Sequence, residues 1–130
     1  MRLGLPKDRT RYHICWGSWN GPHMFDVPIK DIVDLVLRVD VGAYSFEAAN
    51  PRHEHEWRVW KDTTLPAGKV LMPGLIAHST NVVEHPDLVA ERLLRYATSL
   101  AATASWPAQI VDSRKARSPA ACTVRSCGRS

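Results

Sequence analysis

Strand-like runs alternate with amphipathic helical stretches three times along this chain, and that alternation narrows its possible folds more than any other feature. Residues 10–15 form a short β-like run. Asp26 and Pro28 then open a helix whose apolar residues Ile29, Ile32, Val33, Val36 and Leu37 recur at i, i+3, i+4, i+7 and i+8, so that one face is set to pack. Gly42 marks the helix exit, residues 43–47 read as a buried strand, and residues 48–52 as a turn. The segment 53–61 reads as a short polar helix. Pro66 and Gly68 break the chain, and residues 69–77 form a third strand with a bend at Pro73-Gly74. His85-Pro86 starts a last helix with Val89, Leu93, Tyr96 and Ala97 on one face. The order β-α-β-α-β-α specifies α/β architecture: parallel strands joined by right-handed crossovers, with ligands collecting at the carboxyl ends of the strands. His13, Cys15, Glu47 and His78 all fall at or beside such ends.

A chain of 130 residues, 45% of them apolar, suffices for one domain with a modest core. It has no run of about 18 apolar residues, and the opening MRLGLPKDRTRYHIC lacks the apolar stretch of a secretory signal. No membrane partner and a cytoplasmic location are therefore expected. The cysteines Cys15, Cys122 and Cys127 are odd in number and scattered, which argues against a disulfide framework and leaves metal ligation or free thiols. A net charge of +4 would suit nucleic acid only if it formed a face of the fold. It lies instead beyond Ala97, where Arg114, Lys115, Arg117, Arg125 and Arg129 stand against Asp112 alone. Acids and bases balance in residues 1–97, so no nucleic-acid partner is expected. The stretch 98–130 is also Ala- and Ser-rich, lacks His, Glu, Phe and Tyr, and keeps neither period for long; it reads as a disordered tail on an ordered body, 1–97.

Several residues in the body have the chemistry of a site. His13-x-Cys15 ends the first strand, and alternate strand residues point to one side, so the pair can present an imidazole and a thiolate to one metal ion. Alone, such a pair is more often a packed histidine beside a core cysteine. Glu47 adds weight, because a carboxylate ending an apolar strand between Phe46 and Ala48 is costly to bury without a proton, a partner or a metal. The run His53-Glu54-His55-Glu56 looks metal-like. On a helix, however, residues i and i+2 point apart, and a solvated face is the expectation. His85 reads as a helix-start residue.

The stretches YHICWGSWNGPH, AYSFEAANPRHEHEW and VLMPGLIAHSTNVVEHP resemble the C-terminal catalytic domain of cobalamin-independent methionine synthase and its stand-alone relatives, over roughly residues 5–97. The resemblance implies a partial (β/α)8 TIM barrel of about three βα units. It implies a zinc ion held by His13, Cys15 and Glu47, with His78 assisting proton transfer as a catalytic residue. The zinc of that family holds the thiol of homocysteine as a thiolate for attack on the methyl group of 5-methyltetrahydrofolate, so a homocysteine-like thiol and a methyl-folate are the implied partners of an intact parent. Trp16, Trp19, Trp57 and Trp60 are expected to cap the barrel mouth or pack between helices in preference to stacking a pterin.

The departures from that pattern are specific. The family's fourth ligand, the Cys of an Asp-Cys-Gly motif, is absent from the body, and neither Cys122 nor Cys127 has that context. Regrouping the possible codons of residues 98–113 by one frame permits the translation VAGRDRVMAGTDCGL, which restores the motif after the last helix. The tail is thus expected to be frameshifted and non-native. A barrel needs about 250 residues, so the upstream strands also have no counterpart. A truncated, inactive piece of the methyltransferase is the leading expectation; a relative alkylating another thiol such as coenzyme M, and a non-catalytic fragment, are the rivals.

Overall fold

The computed structural model describes residues 5–17, 19, 21–103 and 109–110. It is a mixed α/β structure on a parallel sheet. The strands are β1 (Arg11–Ile14), β2 (Ala43–Glu47), β3 (Val70–Gly74) and β4 (Gln109–Ile110), in the spatial order β1-β2-β3-β4. Between them run helix α1 (Ile29–Leu37), a 3-10 helix over Glu54–Lys61, and helix α2 (Pro86–Thr103). Right-handed crossovers that step always in the same direction place all these connections on one face of the sheet.

The core lies between that face and the helices. Tyr44, Phe46, Leu71 and Leu75 from the β2 and β3 region meet Ile29, Val33 and Val36 of α1, Trp60 of the 3-10 helix, and Tyr96 and Leu100 of α2. Each large apolar side chain buried in this way contributes roughly 1.5–3 kcal/mol. The α1 spacing therefore does what its period predicts, burying Ile29, Val33 and Val36. Its first turn is capped from a distance, for the Ile29 amide donates to Glu56 Oε1 at 3.0 Å. Negative charge at a helix start also suits the helix dipole. At the other end the Tyr44 hydroxyl donates to the Val39 carbonyl at 2.8 Å.

Three boundaries differ from the sequence reading. β3 stops at Gly74 where a longer strand was expected. Pro73 offers no amide to a ladder, and β4 pairs only with Val70 and Leu71, so the missing donor falls where β3 has a single neighbour. Helix α1 ends at Leu37, with Arg38 as its cap, short of the exit expected at Gly42, which serves another purpose. A Cβ there would lie 2.6 Å from the Lys7 carbonyl oxygen, so glycine lets the 3-10 turn Lys7–Arg9 approach the start of β2.

The third difference is the boundary at Ala97. Helix α2 continues through Thr103, with Ser99 and Leu100 buried. Leu93, Tyr96 and Leu100 share a helix face, and the Ala-rich stretch that looked aperiodic is made of the best helix former. β4 then pairs in parallel with β3. The remainder of the stretch read as a disordered tail, with Cys122 and Cys127, lies outside the described residues.

Candidate functional site

Strand residues alternate between faces, so the side of β1 and β2 turned away from the helices carries His13, Ser45 and Glu47. A cavity of about 390 Å³ opens there, at the carboxyl ends of the strands. Its lining includes Arg11, His13, Ser45, Glu47, Asn50 and His78. Three of the four residues expected from sequence are thus brought to one pocket.

Glu47 is buried at the end of β2. Its Oε2 accepts a hydrogen bond from Asn50 Nδ2 at 3.2 Å. Its Oε1 lies 2.7 Å from His78 Nε2, yet out of line for a hydrogen bond, so this buried oxygen has no aligned donor among the described residues. An oxygen so placed is ready for a proton or a cation. His78 itself is 44% exposed and sits on the loop after β3. His13, paired in register with Ser45, is oriented by it: Nδ1 lies 2.8 Å from Ser45 Oγ, which leaves Nε2 available. A ring nitrogen anchored by a neighbouring polar group is how ligating histidines are usually held.

Cys15 behaves differently. It is exposed, its thiol accepts the Gly17 amide at 3.2 Å, and it does not line the pocket. Among the described residues no group of three or more His, Cys, Asp or Glu is disposed to hold a metal ion. His13 and Glu47, two of the donors expected for a zinc ion, line the pocket, where Glu47 Oε1 faces His78 Nε2 at 2.7 Å. The third donor of the expected set stands outside the pocket.

The loop bearing His78 is fastened from α2. The Ala77 amide donates to Glu84 Oε2 at 2.8 Å, and Arg92 binds the other Glu84 oxygen. Arg92 is buried, and its guanidinium also donates to Glu54 at 2.9 Å and to the Leu75 carbonyl at 3.0 Å. Burial disfavours its charge, but Glu54 and Glu84 outweigh that and hold its pKa above the ordinary value. None of these partners was visible in the sequence as a site. A Glu eight residues before an Arg carries no periodic signal.

The expectation of a solvated face for residues 53–56 is corrected. His53 and Glu56 are buried while His55 is exposed. The physical reason is spacing: residues i and i+2 point apart, but i and i+3 share one side of a helix, which brings His53, at the cap, to Glu56, with Nδ1 3.3 Å from Oε2. His53 Nε2 lies 2.8 Å from Asp26 Oδ2, and the same oxygen lies 2.8 Å from His23 Nδ1. Trp16 stacks on His53 with ring centroids 4.2 Å apart and donates to the Val27 carbonyl. The loop after β1 is therefore fastened to the 3-10 helix.

The contact with His53, opposed by burial and helped by His23, holds the Asp26 carboxyl below its ordinary value of 3.8. A carboxylate with a depressed pKa stabilises the fold above its unfolded pKa, and this contribution is lost as pH falls through the lower folded value. Urea midpoints measured between pH 6 and 2 should accordingly fall on the acid side of about pH 3.8. In Asp26→Asn that limb is expected to be flatter. Identical acid limbs in the two proteins would show that Asp26 is not coupled to His53 and His23.

Of the four tryptophans among the described residues, Trp60 is buried and stacked on Phe46, Trp16 stacks on His53, and Trp57 lies under Lys61. These three pack as expected, whereas Trp19 is exposed. His85 precedes α2 and accepts the Asp87 amide, as expected of a helix-start residue. No helix among the described residues is long and apolar enough to cross a membrane. Comparison of the chain with protein-family models, with curated proteins and with solved structures finds no match.

Proposed function

We propose that this chain is part of a zinc-dependent methyltransferase of the methionine synthase type, which moves a methyl group from a methyl-folate to a homocysteine-like thiol. The observation that carries the reading is Glu47: a buried carboxylate at a strand end, with one oxygen held by Asn50 and the other 2.7 Å from His78 Nε2 in an open pocket that His13 also lines. A sequential parallel sheet with its helices on one face is also what an arc of a (β/α)8 barrel requires, the pocket face being the barrel interior. The loops after β1 and β3 keep Trp19, Met24, Phe25, Val82 and Val83 exposed.

Each residue has a task in this reading. His13 and Glu47 would hold the ion, and Cys15, the third ligand of the motif, would have to turn in from the loop after β1, since it stands outside the pocket. Zinc lowers the pKa of a bound thiol and keeps it as a thiolate. His78, at the pocket rim, holds the proton that must be passed as the methyl group leaves its donor. Arg92 and Glu84 fix the loop that carries His78. The Asp-Cys-Gly ligand is supplied by the alternative frame after Ala97.

Equilibrium dialysis of the 130-residue chain against zinc, with a metal assay, tests the site. Weak binding is expected, lost in Cys15→Ser and in Glu47→Gln. Restoring the alternative frame from residue 98 should tighten it by about 10–100-fold, the scale on which shell residues tune metal affinity. Tight zinc that survives Cys15→Ser would remove the His13-x-Cys15 pair from the site. In a repaired, full-length barrel, methyl transfer to homocysteine should depend on Glu47 and His78. Alkylation of coenzyme M in its place would assign the thiol alkyltransferase relative.

A further inference from the structure

Arg11 lies two residues before His13 on β1, so both side chains leave the same face of the sheet, and both line the cavity of about 390 Å³. Arg11 is exposed, and its side chain has no ion-pair or hydrogen-bond partner among the described residues. The other polar groups of this lining are engaged. His13 Nδ1 and Ser45 Oγ face each other at 2.8 Å. Glu47, the one carboxylate among the described lining residues, has Asn50 Nδ2 3.2 Å from Oε2 and His78 Nε2 2.7 Å from Oε1. The acid of the pocket is thus faced on both oxygens, while a guanidinium, which is always charged, keeps its donors unused. The charge left uncompensated is positive.

We propose that Arg11 makes this pocket a binding site for a small oxyanion, a carboxylate or a sulfonate, on a ligand that extends from the guanidinium along β1 towards His13 and His78. The planar fork of an arginine meets two oxygens of such a group with two parallel hydrogen bonds. Two steps along a strand span roughly 7 Å, so a ligand of amino-acid size reaches from Arg11 to His13. The site needs no metal and takes nothing from Glu47. Which ligand fills it rests on the function proposed above: homocysteine carries a carboxylate, and coenzyme M a sulfonate, a short chain away from the thiol. Arg11 holds the end of either that does not react. An arginine in a strand carries no signal of its own; what marks this one is its register with His13, beside a carboxylate that already has two partners.

The test titrates the full chain, kept free of metal by a chelator, with homocysteine, with coenzyme M and with 3-aminopropane-1-thiol, which is homocysteine without its carboxylate. Dissociation constants are read by NMR. Homocysteine or coenzyme M should bind about 10–100-fold more tightly than the aminothiol, the scale of one charge-assisted contact. The tighter of the two identifies the anion as carboxylate or sulfonate. Arg11→Gln should abolish the preference at an unchanged melting temperature, because an exposed side chain is exchanged for a polar one. Arg11→Lys should keep part of it, as a point charge without the fork. A parent chain that binds neither anionic thiol better than the aminothiol overturns the proposal, and needs no variant to do so. Arg11→Gln that retains the parent's preference overturns it as well. Zinc dialysis of the parent tests the methyltransferase reading separately: Arg11-dependent binding in a chain that takes up no zinc keeps the anion site and removes the zinc.

Discussion

Arg92→Ala is expected to cost about 3–5 kcal/mol, the range for removing one partner of a buried ion pair. That is a large share of the roughly 5–15 kcal/mol that keeps a domain folded. The reason is the number of groups left behind. Arg92 is 5% exposed and serves Glu54, Glu84 and the Leu75 carbonyl from one guanidinium. Glu84 is itself nearly enclosed, with a side chain 9% exposed, so its charge has little access to water once the arginine is gone. The planar fork matters as well as the charge. Arg92→Lys keeps the cation but cannot reach the two carboxylates and the carbonyl at once, so it should fall between the parent and the alanine variant. Thermal unfolding followed by circular dichroism measures both. A melting temperature in Arg92→Ala within a degree or two of the parent would mean that the network contributes no stability. Because Glu84 Oε2 also accepts the Ala77 amide, loss of Arg92 should loosen the segment that carries His78.

How much of this was legible in the sequence depends on how local each cause is. The three strands and the two α-helices were readable because their signals are short-range: the α1 period, Gly42, and Pro86 at the start of α2. His13 and Glu47 were readable as a pair because both end parallel strands, and such ends meet in space. Cys15 shows the limit of that argument. Two residues along a strand share a side only while the strand lasts, and β1 ends at Ile14, so Cys15 belongs to the loop, where its thiol accepts the Gly17 amide. The cluster of His53, Glu56, Asp26 and His23 was missed because the pair that meets is i, i+3, not i, i+2, and its other partners come from the loop before α1. Ser45 and Asn50 were missed because an uncharged residue announces nothing until its partner is known. The tail boundary was misplaced for another reason: alanine lowers the contrast of a period while favouring the helix itself.

Trp60→Ala should destabilise the chain by about 3–5 kcal/mol, as removal of a buried aromatic side chain generally does. Trp60 is 1% exposed and closes the core between the 3-10 helix and the sheet. Its ring stacks on Phe46 with centroids 5.0 Å apart, and Phe46 in turn meets the edge of Tyr96 at 5.7 Å. The residue that follows Phe46 is Glu47, so the same stack backs the strand end that presents the pocket carboxylate. Trp60→Phe makes a sharper comparison. It gives up ring area, yet it also removes an indole N–H that is buried with no hydrogen-bond partner among the described residues. An unsatisfied donor of this kind costs roughly 1–3 kcal/mol, which offsets much of the lost packing. The phenylalanine variant, which keeps one ring and sheds the unsatisfied donor, is therefore expected to stay within about 1.5 kcal/mol of the parent, while alanine does not. Urea unfolding of the three proteins distinguishes the terms. Equal losses in Trp60→Phe and Trp60→Ala would show that relief of the buried N–H does not offset the lost ring area.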